Sequence, residues 1–247
     1  MKSIVNRHLF TQTGVDSGAL TMHATAVHSF AEAGEYQVAL LWNNETIRRF
    51  ELIVDDSAED TQLNIDLAAL HLPAAHAAQE GHYMVKPGGH AVFYVSHGAG
   101  GYAVVVTQQP RGEQDKRAAR GQTPPPFDSR ELHNGDLFAV TLLRPGAYSM
   151  TNTLTRAKGE IIVAYPKRGS RLERSLTPLS VECTDKGFVP NRIELQPMQG
   201  IVFRVTSPSR IRIDLAKPDD GPQGPRSPRH MTWRKPLVPK RVDKSRK

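Results

Sequence analysis

The chain has 247 residues, of which 38% are hydrophobic and 23% charged, a composition typical of a globular protein with one large or two smaller domains. No apolar run approaches the roughly 18 residues of a membrane helix, so we expect no transmembrane segment. The single cysteine excludes an internal disulfide framework. The first 14 residues show no signal peptide, which at face value is typical of a cytoplasmic protein, although the sequence leaves the compartment undecided.

The basic excess of the chain lies at its C-terminus. Residues 216–247 hold ten Lys or Arg and three Asp, which accounts for the whole formal net charge of +7. Residues 1–215 hold 22 basic and 22 acidic side chains and are neutral. Any binding to polyanions is therefore predicted of the tail and not of the body.

Alternating apolar and polar residues predict short β-strands along most of the chain. Besides a pair of strands in the opening stretch, we expect hairpins over 36–54, 90–108 and 191–207. The first of these turns near Asn43-Asn44, a pair that suits a tight hairpin turn. Many short strands at close spacing predict an all-β antiparallel sandwich or barrel.

Three segments depart from this pattern. Residues 58–79 have a helical pattern that Pro73 interrupts. Residues 108–127 are charged and then Pro-rich, and we interpret them as a long mobile loop. Residues 216–247 alternate Pro with basic residues and contain little apolar material, which predicts a disordered or partner-ordered tail.

Residues 83–165 carry a series of motifs that resembles the cupredoxins, the family of plastocyanin-like copper proteins. The motifs, in chain order, are "YMVKPGGHAVFYV" (83–95), "GGYAVVV" (100–106), "GDLFAV" (135–140), "PGAY" (145–148) and "KGEIIV" (158–163). The resemblance covers about a third of the chain. It implies a cupredoxin-like antiparallel Greek-key β-sandwich over this region.

The resemblance also places the copper ligands of the family on this sequence. The first histidine corresponds to a position on or near Tyr102, the cysteine to Asn152, the second histidine to Thr155 and the axial methionine to Ala157. None of these residues supplies the thiolate or the imidazoles that copper prefers. We therefore expect no cofactor, and the electron-transfer role of the family is not carried over.

Both ends of the chain resemble halves of the same fold. Residues 29–54 resemble its later strands and residues 181–208 its opening strands. The two ends either pair into a second, split sandwich or extend the central one, or the N-terminus forms a separate immunoglobulin-like piece. The predicted division is an N-terminal β-rich region (1–80), a cupredoxin-like domain (81–167), a C-terminal hairpin region (168–215) and a basic tail (216–247).

Histidines are the remaining candidate metal ligands. His71, His76 and His82 lie close in sequence, and His90 and His97 follow. Spacings of five or six residues do not stack on one helix face, and a spacing of seven puts strand residues on opposite faces. Surface histidines are the favoured interpretation. A copper or electron-transfer site that uses these residues is the alternative.

The sequence gives no sign of an enzyme. No nucleotide-binding, nucleophile-elbow or metalloprotease motif occurs. The acidic neighbours of Cys183 are expected to raise the pKa of its thiol and to lower its reactivity. A group of ionisable residues near a predicted hairpin is interpreted as a solvated turn, because it has no nucleophile or metal beside it in sequence: Asp128, Glu131, His133 and Asp136.

The tail is the predicted partner-binding element. Its candidate contact residues are basic or aromatic: Arg229, Trp233, Arg234, Lys235, Lys240 and Arg241. They fit an assembly arm in which Trp233, Leu237 and Val238 anchor on a protein surface. They also fit binding to a phosphate backbone with stacking by Trp233, or a tail that only solubilises.

Together these features predict a non-catalytic, metal-free, cupredoxin-like binding or structural subunit. We expect it to associate with a larger protein assembly through the 108–127 loop and the tail. A copper protein using histidines outside the family positions is one alternative, and a nucleic-acid-associated protein is the other.

Overall fold

The computed structural model describes residues 13–71, 83–110, 127–164 and 176–219. Within these ranges the chain forms β-strands and one short helix, so the prediction of an all-β protein is confirmed. The first half contains β1 (Gly14–Asp16), β2 (Ala24–Ser29), β3 (Gly34–Trp42), β4 (Glu45–Val54), β5 (Gln62–Asp66), α1 (Leu67–His71), β6 (Tyr83–Val85), β7 (His90–Tyr94) and β8 (Tyr102–Gln108). The second half contains β9 (Phe127–Asp128), β10 (Leu137–Thr141), β11 (Gly146–Asn152), β12 (Lys158–Val163), β13 (Leu179–Thr184), β14 (Gly187–Val189), β15 (Arg192–Leu195), β16 (Gly200–Val205) and β17 (Ile211–Pro218).

The strands lie in three sheets. The middle sheet has seven strands in the order β14-β13-β16-β10-β2-β7-β5, and the two others have the orders β6-β4-β3-β8-β9 and β1-β17-β11-β12-β15. Apolar side chains from all three sheets form one continuous core. Phe93 of the middle sheet stacks on Phe127 of β9 with ring centroids 5.8 Å apart. Each fully buried side chain of this size stabilises the fold by roughly 2–3 kcal/mol.

The same pattern of strand pairing occurs twice. In unit 1 (β2–β8), β2 pairs with β7, β7 with β5, β3 with β4 and β8, and β4 with β6. In unit 2 (β10–β17), β10 pairs with β16, β16 with β13, β11 with β12 and β17, and β12 with β15. Every pair has the same parallel or antiparallel sense as its counterpart. Only β14 has no counterpart among the described residues.

Matching residues in the two units keep a sequence offset of 112 over their first strands. Gly34 and Gly146 each begin the second strand of their unit, β3 and β11, and a tyrosine follows two residues later. The Tyr36 hydroxyl donates to the carbonyl oxygen four residues before it (2.9 Å), and the Tyr148 hydroxyl does the same (2.7 Å). The repeat therefore extends from strand order to individual hydrogen bonds.

Each unit is preceded by a segment that pairs with the other unit. Both segments read Asp-Ser-x-x-Leu, over 16–20 and 128–132. Strand β1 pairs with β17 of unit 2, and β9 pairs with β8 of unit 1. The serine of the first segment accepts a hydrogen bond from Ile211 N through Oγ (3.2 Å), and that of the second accepts one from Val104 N (3.0 Å). The two units therefore exchange their leading segments.

Strands β2 and β10 join the units at the centre of the middle sheet. They run antiparallel with Ala26 opposite Phe138, two positions that the offset of 112 makes equivalent. The local twofold axis of an antiparallel pair is normal to the sheet, and here it passes midway between these two residues. Both five-stranded sheets therefore lie on the same face of the middle sheet.

Only some of the predicted strand pairs form. The hairpin over 36–54 is confirmed, with Asn43 and Asn44 at positive φ in its turn, and β11 pairs with β12 as the PGAY–KGEIIV order indicates. The predicted hairpins over 90–108 and 191–207 are wrong as pairings, although their strands exist. In each, the loop crosses from the middle sheet to a five-stranded sheet or back. The opening strands likewise pair with β17 and β10 rather than with each other.

The strands at the two ends of the chain also have partners other than those that a split sandwich requires. Residues 29–54 pair with strands of 83–108, and residues 181–208 pair with strands of 137–163. The two ends therefore pair with strands of the central region and not with each other, so a split sandwich does not form. The division predicted after residue 80 separates strands of unit 1.

Other predictions concern segments that lie partly or mostly outside the described residues. Within 58–79, the chain forms β5 and the short helix α1, and Pro73 lies outside the described residues. Most of the 108–127 loop and of the 216–247 tail also lies outside them, although β17 runs to Pro218.

Candidate functional site

The residues that the sequence resemblance matched to copper ligands lie at equivalent ends of the two units. Each end combines the tip of a hairpin, β3–β4 in unit 1 or β11–β12 in unit 2, with the start of the last strand of the unit. Trp42 pairs with Tyr102 at the end of unit 1, and Asn152 pairs with Ile211 at the end of unit 2. Tyr102 and Asn152, predicted in one site, therefore belong to different units.

A buried polar network closes the end of unit 2. The Asn152 Nδ2 atom donates to Ser209 Oγ (2.9 Å), and the Ser209 hydroxyl donates to Ser207 O (2.8 Å). The Asn152 Oδ1 atom accepts from the backbone N–H groups of Leu154 (3.1 Å) and Arg210 (3.2 Å). Asn152 and Ser209 are almost fully buried. Their polar atoms are committed to one another and to the backbone.

An ion pair fixes the leading segment to the same end of unit 2. The Arg210 guanidinium contacts both carboxylate oxygens of Asp16, with Nε to Oδ1 at 3.1 Å and Nη2 to Oδ2 at 3.0 Å. This two-point geometry is the strong form of an arginine–carboxylate pair. In unit 1 the residue equivalent to Arg210 is Ala103, and Asp128 pairs instead with Arg130 of its own segment.

The end of unit 1 is aromatic. The Tyr102 hydroxyl lies 2.8 Å from His71 Nδ1, and the Trp42 ring packs on the His71 ring at a centroid distance of 4.9 Å. The Trp42 Nε1 atom donates to Gly100 O (3.1 Å). Burial, and secondarily the charge of Asp66, raises the pKa of the Tyr102 phenol above its usual value. The phenol therefore stays protonated, and it forms a hydrogen bond with His71 Nδ1.

A chain of polar side chains lies beside this aromatic group. The Ser96 Oγ atom is 2.5 Å from Asp66 Oδ2 and 2.7 Å from His97 Nδ1. A serine nucleophile needs a histidine between it and the carboxylate, whereas here the hydroxyl lies between the two. The single hydroxyl proton goes to Asp66, and His97 is the donor to Ser96. This arrangement orients the loop and does not activate the serine.

Of the three histidines proposed as candidate metal ligands, only His71 lies within the described residues. His71 is held by Tyr102 and Trp42, while His76 and His82 lie outside the described residues. His90 Nε2 is 3.0 Å from Gln62 Oε1. In the part of the chain that the structure describes, no group of three or more His, Cys, Asp or Glu is arranged to hold a metal ion.

The predicted partner-binding residues belong to the tail beyond Asp219. Arg229, Trp233, Arg234, Lys235, Lys240 and Arg241 all lie outside the described residues. Their role in binding stays a prediction.

The acidic cluster predicted as a solvated turn is only partly one. Asp136 is buried, with Oδ1 2.8 Å from His28 Nδ1 and Oδ2 accepting from His133 N (2.8 Å). His28 belongs to β2 and stacks on Phe127. Sequence reasoning missed this pair because its members are 108 residues apart. It ties unit 1 to unit 2 beside the local twofold axis.

Cys183 is inert for a different reason from the one predicted. Its side chain is buried on the inner face of the middle sheet, and burial raises the pKa of the thiol to about 12. The neighbouring acidic residues, to which the sequence attributed the effect, are not its cause.

The comparisons with known proteins give no relative. No family model matches the chain, and neither a curated protein nor a solved structure does. Across the described ranges, no helix has the length and apolar character needed to cross a bilayer.

Proposed function

We propose that this chain is a non-catalytic, metal-free binding or structural protein built from two cupredoxin-like units. In unit 2, the residues that resemble the later strands of that fold precede those that resemble its opening strands (181–208), in the reverse of the usual chain order. The PGAY and KGEIIV motifs, which carry the resemblance, lie on paired strands of unit 2, and this supports the assignment.

The observation that carries the proposal is the state of the two ligand ends. In unit 2, the asparagine and the serine that stand near the ligand positions bind each other. In unit 1, Leu40 occupies the position equivalent to Asn152 and is fully buried. Because side chains of the protein fill both ends, the residues favour a scaffold without copper over an electron-transfer protein.

The partner-binding role is assigned to the basic tail, together with the 108–127 loop. All of the net positive charge lies in the tail, and the body is neutral. A protein partner is the proposed occupant, with Trp233 as its apolar anchor. The favoured context is a larger assembly.

The test uses the full chain and a chain that ends at Asp219, just after β17, as baits in an extract of the native source. Retention of the same protein by the full chain only, at a salt concentration that screens surface charge, supports the proposal. The Trp233→Ala substitution should then weaken binding by roughly 2 kcal/mol or more. Binding that is unchanged by removal of the tail would contradict it.

A nucleic-acid partner would give a different result. Affinity for a DNA duplex would fall steeply with salt, with a log–log slope near the number of neutralised phosphates, and Trp233→Ala would matter little. That outcome would indicate that the partner of the tail is a nucleic acid and not a protein.

A further inference from the structure

The middle sheet is covered by the five-stranded sheets on one face only. Side chains of adjacent residues in a strand point to opposite faces of a sheet. Ala26, Phe93, Phe138 and Phe203 of the middle sheet belong to the core that it shares with the two five-stranded sheets. The residues next to them in sequence therefore point to the opposite face, which no sheet of the described structure covers. We call it the outer face of the middle sheet.

The centre of the outer face is apolar. Val27 of β2 lies opposite Val92 of β7 on one side and Leu137 of β10 on the other. Ala139 of β10 lies opposite Val202 of β16. All five side chains are partly exposed, and none of them is part of the hydrophobic core. They form one patch on four neighbouring strands from both units, which we call the outer patch.

A five-stranded sheet gives a comparison within the same chain. On its outer face, Ser149 lies opposite Glu160, and Thr151 lies between Lys158 and Arg212. These polar and charged residues alternate with buried apolar ones, as expected where one face of an antiparallel sheet meets water. The outer patch departs from this pattern. A contiguous apolar surface of this kind marks an interaction site.

The margins of the outer face are polar. On one side of the patch, Glu182 of β13 lies opposite Arg204 of β16, and both side chains are exposed. On the other side, β5 contributes the exposed Gln62 and Asn64, and Gln62 Nε2 donates to Asn64 Oδ1 (2.8 Å). An apolar centre within a polar rim is the anatomy of a protein–protein interface. The rim charges Glu182 and Arg204 have opposite signs, which favours a protein over a polyanion or an anionic membrane surface.

The size and charge of the outer face fit a second copy of the same face. Seven strands about 4.8 Å apart, most of them five or six residues long, cover roughly 600 Å² in projection. The accessible area of a pleated surface exceeds its projection, so the face approaches the ~800 Å² per partner that a stable interface buries. A twofold interface must be self-complementary, and an uncharged patch opposes no like charges when it meets itself.

We infer that the protein forms a dimer in which the outer patches of two copies pack face to face. The valine, leucine and alanine side chains of the two middle sheets interdigitate at the usual sheet separation of about 10 Å, and the polar margins stay in water. The inference goes beyond the proposed function, because it concerns a surface of the body and not the tail. One dimer carries two tails, so it binds a partner with repeated sites more tightly than one chain does.

Sedimentation velocity of the purified full chain over a series of micromolar concentrations tests the inference. We expect a dimer with a dissociation constant that is micromolar or lower. Val27→Lys places a charge at the centre of the patch and should raise this constant roughly 100-fold or more, because the ammonium group would be buried without a partner. Ser149→Lys places the same charge on the exposed outer face of β11 and should leave the dimer unchanged.

A milder variant keeps the test decisive if Val27→Lys does not fold. Val27→Thr, Val92→Thr and Val202→Thr together keep the β-branched shape that suits a strand but make the patch polar, and should weaken the dimer roughly tenfold or more. Circular dichroism and urea unfolding check that each variant is folded. A wild-type chain that stays monomeric, or a dimer that persists in the folded patch variants, overturns the inference. A dimer that Ser149→Lys dissociates as strongly as Val27→Lys overturns it too. Each of these results leaves the proposed role of the tail standing.

Discussion

At the scale of single residues, the buried polar groups differ in how completely they are paired. Asn152, Ser209 and Asp136 each have hydrogen-bond partners that account for their burial. His23 is different, because its Nε2 atom is buried and has no partner among the described residues. It lies on a small cavity beside Thr141 and Tyr148. A buried, unpaired polar atom costs free energy and makes the site sensitive to protonation.

We predict that His23 lowers the stability of the protein at acid pH. Burial lowers the pKa of this imidazole below its ordinary 6.5. The unfolded chain therefore binds a proton at a higher pH than the folded chain does. The free energy of unfolding is fully retained above pH 6.5 and falls as the pH drops from there through the folded-state pKa.

Urea unfolding at several pH values between 7.5 and 5 measures this effect. His23→Gln should flatten the decline, whereas His90→Gln, at a histidine whose Nε2 already has Gln62 as partner, should leave it in place. An unchanged slope in His23→Gln would show that another group titrates.

At the scale of elements, the strands follow from the sequence and their partners do not. Alternation of apolar and polar residues located β3, β4, β11 and β12, and the Asn43-Asn44 turn determined the register of the first hairpin. The loops after β7 and β15 contain the same turn residues as hairpin loops, yet they cross between sheets. Because equivalent strands of the two units carry the same apolar–polar pattern, a strand could pair in either unit. No local sequence signal decides between the two.

The candidate site was predictable to a similar extent. The absence of Cys and His from the loop after Asn152 could be read directly from the sequence. The contact of His71 with Tyr102 and Trp42 could not, because it requires the register of β3 with β8 and the position of α1. Long-range pairing supplies this information, and sequence patterns contain only local preferences.

The glycines that begin β3 and β11 occupy equivalent positions but have different surroundings, so their substitutions can be compared directly. Gly146 has φ of 150°, and a Cβ atom there would lie 2.5 Å from Lys217 O, whereas one at Gly34 would lie 3.2 Å from the Gln108 amide nitrogen, the end of a flexible side chain. Gly146→Ala should therefore destabilise the protein by about 2 kcal/mol or more, and Gly34→Ala by less than about 1 kcal/mol. Denaturant unfolding of the two variants measures the difference. Equal losses would contradict the backbone placement at the start of β11.

At the scale of the whole molecule, three connections hold the two units together. The leading segments pair across the units, β2 pairs with β10, and Asp136 binds His28. The arrangement is that of an exchanged dimer within one chain. We therefore predict that the two units stay associated when the chain between β8 and β9 is cut.

Cleavage of the chain within 111–126 tests this arrangement. A protease site introduced there should be cut, and the two fragments should still elute together at the volume of the intact protein, because strands of each fragment lie in sheets of the other. Fragments that separate without denaturant would show that the exchanged segments contribute little.

The central claim is that side chains of the protein, and not copper, close the ligand ends of both units. Its most direct measurement is the copper content of the full chain after incubation with Cu(I) or Cu(II) and desalting, read together with the visible absorption spectrum. We predict substoichiometric copper and no thiolate band, because Asn152 and Ser209 bind each other and burial keeps the thiol of Cys183 protonated. One tightly held copper per chain, whether with an intense thiolate band or as band-free Cu(II) on histidines, would contradict the claim.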